Sequence, residues 1–277
     1  FQVYAEVPSS GKALSLPSSA DYLAVATPGS FDYSAGYTFS AWVKESLGGI
    51  SNSYNTIFCA GGATGSDIEV YQSTQSGVFT VLHNRGNGGT LSTFGTSTNP
   101  LPSGEYAHLS VTFDGTTVRL LVNGVEAGSG TILPPVKSAG SELTFGYLNN
   151  SGFPGYQSFD GLMDDIRVYD TARTARSISD DMGRCISGSE DNLVLYYDLE
   201  SVSGTIFTDL VSSTPAQLKN GGTQTDDAAV SCAFDCYKIM STQITVGDDV
   251  APTVQVQDIE AQVGSTGILT ISADLID

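Results

Sequence analysis

The sequence predicts an all-β fold, a sandwich of two antiparallel sheets, from three observations. Short stretches of alternating apolar and polar residues recur along the chain, separated by Gly, Asn, Asp and Ser. Asp-Gly and Asn-Gly pairs, which suit hairpin turns, join some of these stretches. Only the segment that follows Thr174 has a helical pattern. Many short strands with almost no helix are typical of a β-sandwich.

The clearest early strand is Tyr37–Val43, in which Tyr37, Phe39, Ala41 and Val43 share one face. Trp42, the only tryptophan, falls on the opposite, polar face. We expect either that a loop covers it or that it forms an exposed platform for a sugar ring. Further strands are predicted at Ala13–Leu16, Tyr22–Val25, Asn55–Ala60, Asp67–Gln72 and Gly77–Leu82.

The segment from His108 to Ala127 predicts a three-stranded antiparallel meander, because Asp114-Gly115 and Asn123-Gly124 supply its two turns. Leu109, Val111 and Phe113 should share one face and His108 the other. We interpret His108 and His83 as structural residues, because neither has an acid–base partner nearby in the sequence.

Phe159–Asp170 is the strand with the strongest candidate for a site. Simple alternation places Asp164 on the apolar face with Ile166 and Val168, and Asp165 on the other face with Arg167. A carboxylate on an apolar face needs a hydrogen-bond network, a cation or a metal, which makes Asp164 the leading candidate.

The rest of the chain contains one helix and several short strands. Thr174 should cap the helix, with Gly183 at its end. Strands are predicted within Asn192–Glu200 and Thr205–Val211. We assign residues 1–246 to one domain with flanking C-terminal strands, and residues 247–277 to a linker and the start of a second β domain.

Composition and charge exclude several functions. The 277 residues carry a formal charge of −19, and basic residues do not cluster, so nucleic acid is not expected as a partner. No apolar run is long enough to span a membrane. The N-terminus lacks an initiator Met and a signal-peptide pattern, so we expect a mature or excised segment of a secreted or cell-surface protein.

Four cysteines, Cys59, Cys185, Cys232 and Cys236, would allow three pairings if all were bridged. With two His and no Cys-x-x-Cys pair, a zinc site is not expected. We predict one or two disulfides, with Cys185 bonded to Cys232 or Cys236. The alternative for Cys59 is a buried thiol. Asn149 opens an N-glycosylation sequon, which suits a surface loop of a secreted protein.

Five segments resemble successive signatures of the laminin G-like, concanavalin A-like jelly-roll domains. They are Ala13–Val25, Tyr37–Lys44, His108–Gly115, Leu120–Gly124 and Phe159–Tyr169. The resemblance implies a jelly roll of two antiparallel sheets, usually in secreted proteins that bind glycans or proteins, often with Ca²⁺. One departure is Tyr106-Ala107, which stands where the family often has a tryptophan.

The resemblance also implies a structural calcium. Asp164 aligns with an aspartate that helps hold this ion in related folds, and Asp21 is the second candidate ligand. Calcium takes six to eight oxygen ligands, so carbonyls and water would complete the shell. The alternative is that backbone N–H groups or an arginine satisfy Asp164.

Three functions follow as hypotheses. The first is a non-enzymatic extracellular module that binds a glycan or a protein, through residues that the sequence leaves unknown. The second is a structural subunit that self-associates in a filament or matrix. The third is a glycoside hydrolase, for which the sequence lacks the usual Glu-x-Asp-x-x-Glu run and offers only Asp67 and Glu69 on one strand face.

Overall fold

The computed structural model describes residues 11–18, 20–46, 54–62, 65–74, 76–84, 91–96, 101–102, 104–148, 158–200 and 202–230. All of these lie within one compact unit, Ser10–Ala233. The second domain predicted at 247–277 lies outside the described residues, so the boundary at residue 246 stays a prediction. None of the helical structure in the described ranges is long and apolar enough to cross a membrane.

The described chain contains seventeen strands and one helix. In chain order they are β1 (Ala13–Leu16), β2 (Tyr22–Ala26), β3 (Tyr37–Glu45), β4 (Tyr54–Gly62), β5 (Gly65–Ser73), β6 (Phe79–Asn84), β7 (Leu91–Gly95), β8 (Ala107–Phe113), β9 (Thr117–Val122), β10 (Val125–Thr131), β11 (Glu142–Phe145), β12 (Gly161–Tyr169), α1 (Ala175–Asp181), β13 (Leu193–Tyr197), β14 (Val202–Ser203), β15 (Ile206–Thr208), β16 (Pro215–Lys219) and β17 (Thr223–Thr225).

The strands form two antiparallel sheets. The first sheet has eight strands in the order β10-β9-β8-β3-β12-β1-β17, with β13 also paired to β12. The second sheet has nine strands in the order β14-β15-β16-β2-β11-β4-β5-β6-β7. The predicted two-sheet sandwich is therefore confirmed, and its organisation is that of a jelly roll. The C-terminal strands β13 to β17 extend both sheets.

Aromatic side chains from both sheets fill the core between them. Phe39 on β3 stacks on Phe58 of β4 with ring centroids 4.6 Å apart, and Phe145 on β11 packs beside both. These rings are at most 1% exposed. Burying one such side chain contributes roughly 1.5 to 3 kcal/mol to the free energy of unfolding, so this contact stabilises the packing of the two sheets.

The predicted meander is confirmed as β8, β9 and β10. Asn123 and Gly124 both have positive φ, 50° and 75°, as the tight turn between β9 and β10 requires. A side chain at Gly124 would also collide with Ser179 of α1, 2.8 Å from the ideal Cβ position. The turn therefore lies directly against the helix.

The helix is confirmed close to its predicted limits. Thr174 is the N-cap, and its hydroxyl accepts a hydrogen bond from the Ser177 N–H at 3.1 Å. Met182 is the C-cap, one residue before the predicted stop at Gly183. Ile178 is the buried residue of this helix.

A β-bulge in β12 overturns the predicted alternation. Asp164 lies opposite Trp42 of β3, but Arg167 lies opposite Ser40, so one extra residue of β12 enters between them. Asp165 adopts the left-handed conformation with φ of 51°. Met163 and Ile166 consequently both face the core, although simple alternation places them on opposite faces.

The placement of Asp164 toward the core was therefore wrong. The bulge puts Asp164, Asp165 and Arg167 together on the outer face of the first sheet. Sequence alternation cannot reveal this change, because it assumes an uninterrupted strand.

Candidate functional site

Asp164 is fully buried, although it lies on the outer face of the first sheet. One carboxylate oxygen accepts the backbone N–H of Asp165 at 2.8 Å. The other accepts the N–H groups of Ala229 and Val230, both at 2.9 Å. Burial raises the pKa of Asp164 to about 8 against the opposing effect of these bonds. Asp164 thus links the segment after β17 to β12 through hydrogen bonds.

The surroundings of Asp164 do not fit a calcium site. Its described hydrogen-bond partners are N–H donors, whereas Ca²⁺ needs a shell of oxygens. Asp21 is buried elsewhere and accepts the N–H groups of Ser18 at 3.0 Å and Gly221 at 2.7 Å. Within the described ranges, no three His, Cys, Asp or Glu residues form a metal-binding group. The contacts favour the alternative of a carboxylate satisfied by backbone N–H groups, and calcium stays a prediction.

Asp165 and Arg167 form a buried ion pair. The Arg167 Nε donates to Asp165 at 2.9 Å and Nη2 donates at 2.7 Å, with both side chains at most 2% exposed. Burial raises the pKa of Asp165 to about 6, against the pull of the Arg167 guanidinium. The predicted placement of Asp165 beside Arg167 on the outer face is confirmed, and both side chains are buried there.

The C-terminal end of α1 covers this ion pair. Arg167 also donates to the carbonyl oxygens of Asp181 at 3.0 Å and Arg184 at 2.6 Å. Trp42 donates its indole N–H to the carbonyl of Met182 at 2.7 Å. Side chains of the first sheet therefore satisfy carbonyls that the helix end leaves open. Trp42 is half-buried under the end of the helix, which is closer to the predicted cover than to an exposed platform.

Both histidines occupy structural positions. His108 packs edge-on against Trp42, 5.4 Å between ring centroids, and is 2% exposed. Burial lowers its pKa to about 3, with Arg167 adding to the effect. His83 contacts the Tyr37 hydroxyl at 2.9 Å and the Leu133 carbonyl at 2.8 Å, and burial lowers its pKa to about 4. Both rings are therefore neutral near pH 7.

The remaining predicted residues lie partly outside the described structure. Cys59 is a buried thiol. Cys185 forms a disulfide whose partner is outside the described residues, as are Cys232 and Cys236. The predicted pairing therefore stays a prediction, and so does glycosylation of Asn149, which also falls outside the described residues.

The outer face of the second sheet carries a different buried carboxyl, Glu69 on β5. The strand register places Glu69 between Cys59 of β4 and Leu82 of β6. Glu69 is 5% exposed, and one of its oxygens accepts the Thr56 hydroxyl at 3.0 Å. Burial raises its pKa to about 7, with the Thr56 bond opposing. The Thr56 hydroxyl is the hydrogen-bond donor described for this carboxyl.

Two tyrosines stand beside Glu69 on the same face. Tyr54 of β4 and Tyr71 of β5 meet edge to face, with ring centroids 5.1 Å apart and planes at 78°. Tyr54 is 38% exposed, and Tyr71 is half-buried opposite Thr56 and Thr80. We call Glu69, Thr56, Tyr54 and Tyr71 the Glu69 site.

Asp67 does not join this site. Its carboxylate accepts the Tyr33 hydroxyl at 2.5 Å and the Ser138 N–H and hydroxyl at 2.8 and 2.5 Å. An irregularity between Ala60 and Gly61 of β4 interrupts the pairing beside Asp67. The two acids that the sequence placed on one face therefore have separate partners.

No local pattern in the sequence joins Tyr54 to Glu69 and Tyr71, since the two tyrosines are seventeen positions apart. Alternation in β5 places Glu69 and Tyr71 on one face. The pairing of β4 with β5, which brings Tyr54 to them, depends on a register that single-strand patterns do not determine.

The sequence matches a known family. Residues 17–179 match the model of the laminin G-like group described as the concanavalin A-like lectin/glucanases superfamily. Among curated proteins, no sequence matches the chain.

Solved structures share the fold. A proposed carbohydrate-binding protein from Bacteroides ovatus is similar with a TM-score of 0.60 and 18% identity over 78% of this chain. The match covers 59% of that protein, so the chain spans about three fifths of its length. The heptameric SAP-like pentraxin from Limulus polyphemus is similar with a TM-score of 0.53 and 14% identity, covering 82% of this chain and 99% of that one. At these identities the likeness concerns the fold.

Proposed function

Because the chain belongs to the concanavalin A-like lectin/glucanases superfamily, we propose that it is a non-enzymatic extracellular module that binds a glycan at the Glu69 site. The observation that carries the proposal is a tyrosine pair, with Tyr54 exposed and Tyr71 half-buried, beside a buried carboxyl that accepts one described hydrogen bond. The fold alone does not choose a function, so the proposal depends on this site.

The chemistry of the Glu69 site suits a sugar. Tyrosine rings offer a large apolar surface with a polar tip, which matches the mixed surface of a pyranose ring. A carboxylate oxygen accepts a hydroxyl donor in a charge-assisted hydrogen bond, which is stronger than a neutral one. Sites of this kind combine an apolar wall with a few placed polar groups.

Binding without hydrolysis agrees with the surroundings of Glu69. Glycoside hydrolysis generally uses two carboxyl groups on either side of the scissile bond. The pKa of Glu69 is shifted by burial and by Thr56, with no contribution from a second carboxyl. Asp67, the nearest acid in the sequence, has both oxygens occupied by Tyr33 and Ser138.

A glycan panel with calorimetry of the best ligand tests the proposal. Tyr54→Ala should weaken binding about tenfold or more, because an aromatic contact at a binding site contributes about 1.4 kcal/mol or more. Leu133→Ala is the matched control, since Leu133 is similarly exposed at 45% but belongs to the connection after β10. Repeating the titration with a chelator shows whether calcium takes part.

Two results would contradict the proposal. One is that no glycan binds at millimolar concentration. The other is that Tyr54→Ala binds the ligand as well as the wild type while Leu133→Ala weakens it.

A further inference from the structure

We infer that the Glu69 site selects neutral glycans, with a sugar hydroxyl donating to Glu69, and disfavours glycans that carry carboxylate or sulfate groups. This inference rests on the proposed function and adds the class of ligand. It follows from the distribution of charge around the site.

The strands of the Glu69 site carry no countercharge for an anionic sugar. The described residues of β4, β5 and β6 contain no Lys or Arg. Lys219 on β16 is the only Lys or Arg within the described strands of the second sheet. The strand order places β2, β11 and β4 between β16 and β5, a separation of roughly 19 Å at about 4.8 Å per strand.

Most other described cations are already engaged within the chain. Lys137 donates to the carbonyl oxygens of Pro28 at 3.2 Å and Phe31 at 2.5 Å. Six more form ion pairs with Asp or Glu, namely Lys12, Lys44, Arg119, Arg167, Arg173 and Arg176. Arg85 and Lys238 lie outside the described residues.

An anionic sugar at this site would meet like charge. Its carboxylate or sulfate would approach the Glu69 carboxyl in a protein of formal charge −19. Like charges brought together without a counterion oppose binding, which is how interfaces reject wrong partners. A neutral sugar supplies hydroxyl donors, from which the Glu69 carboxyl can accept a hydrogen bond.

Paired ligands test the inference. The neutral oligosaccharide that binds best is titrated beside the same oligosaccharide with one unit oxidised to a uronic acid or sulfated. The anionic partner should bind at least about tenfold more weakly. In Glu69→Gln, which keeps the size and the polar tip, neutral binding should weaken and the difference between the paired ligands should shrink to about threefold or less.

Glu142→Gln is the matched control. Glu142 is exposed on β11 of the same sheet, and its substitution should leave the selectivity near that of the wild type. Melting temperatures of both variants show that each is folded.

The possible failures are distinguishable. Tighter binding of the anionic partner, or unchanged selectivity in Glu69→Gln, would overturn the inference and leave the glycan-binding function standing. An absence of binding to both neutral and anionic glycans would overturn both proposals.

Discussion

The outer faces of the two sheets each hold buried carboxyl groups, but these groups have different hydrogen-bond partners on the two faces. On the first sheet, Asp165 meets Arg167 in a bidentate pair and Asp164 accepts three backbone N–H bonds. On the second sheet, Glu69 has one described hydrogen bond, from Thr56. Buried carboxyls with several protein partners hold the structure together, whereas one with a single described hydrogen bond beside two tyrosine rings suits a ligand.

The difference has a physical origin in what covers each face. The end of α1 and residues 229–230 supply N–H groups and carbonyls to the first sheet, so every charge there has a partner. At the Glu69 site, the carboxyl has the Thr56 hydroxyl as its described hydrogen-bond donor, and the two tyrosine rings lie beside it. Desolvation of Glu69 is therefore only partly compensated.

The largest expected effect in this comparison comes from Asp165→Asn. Asn keeps the size and tolerates the positive φ, but it leaves the buried Arg167 without a countercharge, which should cost about 3 to 5 kcal/mol of the free energy of unfolding. Asp164→Asn retains one acceptor oxygen and should cost less, about 1 to 3 kcal/mol. Urea denaturation of both variants measures the difference.

This order reverses the one that strand alternation predicted, in which Asp164 was the more critical residue. A greater loss for Asp164→Asn than for Asp165→Asn would restore the simple alternation and argue against the bulge. Equal losses would show that the ion pair is no more important than the backbone bonds.

More of the fold than of the site could be predicted from the sequence. Alternation and turn residues predicted β3 and the meander of β8 to β10, because each face of these strands has a constant environment. Both the bulge at Asp165 and the irregularity beside Asp67 shift the register by one residue, and an apolar pattern does not record such a shift. The error at Asp164 arises there, and the irregularity beside Asp67 lies where the partners of Asp67 and Glu69 diverge.

The covering of Trp42 and the assembly of the Glu69 site depend on long-range pairing. Trp42 donates to Met182, which is 140 positions away in the chain. The polar face of β3 was correctly predicted, but nothing local shows that α1 ends above it. Site residues that come from different strands are therefore visible only once the strand order is known.

The pH dependence of stability should reveal how much the burial of Glu69 costs. Its folded pKa of about 7 lies above the ordinary value of 4.5, so the folded state holds the proton more tightly than the unfolded state. The contribution of Glu69 to the free energy of unfolding is fully present below pH 4.5. It is lost as the pH rises through 7, by about 3 kcal/mol in total. Glu69→Gln should remove this loss.

Urea denaturation of the wild type and Glu69→Gln between about pH 5 and pH 8 tests this. The free energy of unfolding of the variant should rise relative to that of the wild type as the pH rises. Taking the difference between the two proteins removes the contributions of Asp164 and Asp165, which also have raised pKa values. Parallel stability curves would mean that Glu69 is compensated in the folded state, and would weaken the contrast between the two faces.

The smallest expected effect concerns the cover over the first sheet. Arg173 donates to Asp181 at 2.6 Å and to the Tyr169 hydroxyl at 3.0 Å, and its guanidinium lies 4.5 Å from the Tyr169 ring. Arg173→Ala should lower the free energy of unfolding by about 1 to 2 kcal/mol, because these contacts fix α1 to β12 and are partly buried. Arg176→Ala, which removes an exposed ion pair with Asp180 on the same helix, should change the free energy of unfolding by less than about 0.5 kcal/mol.

Neither variant should alter glycan binding at the Glu69 site, because α1 contacts the first sheet and the Glu69 site lies on the second. A loss of binding in Arg173→Ala would show that the two faces are coupled, and the division between a structural face and a binding face would then fail.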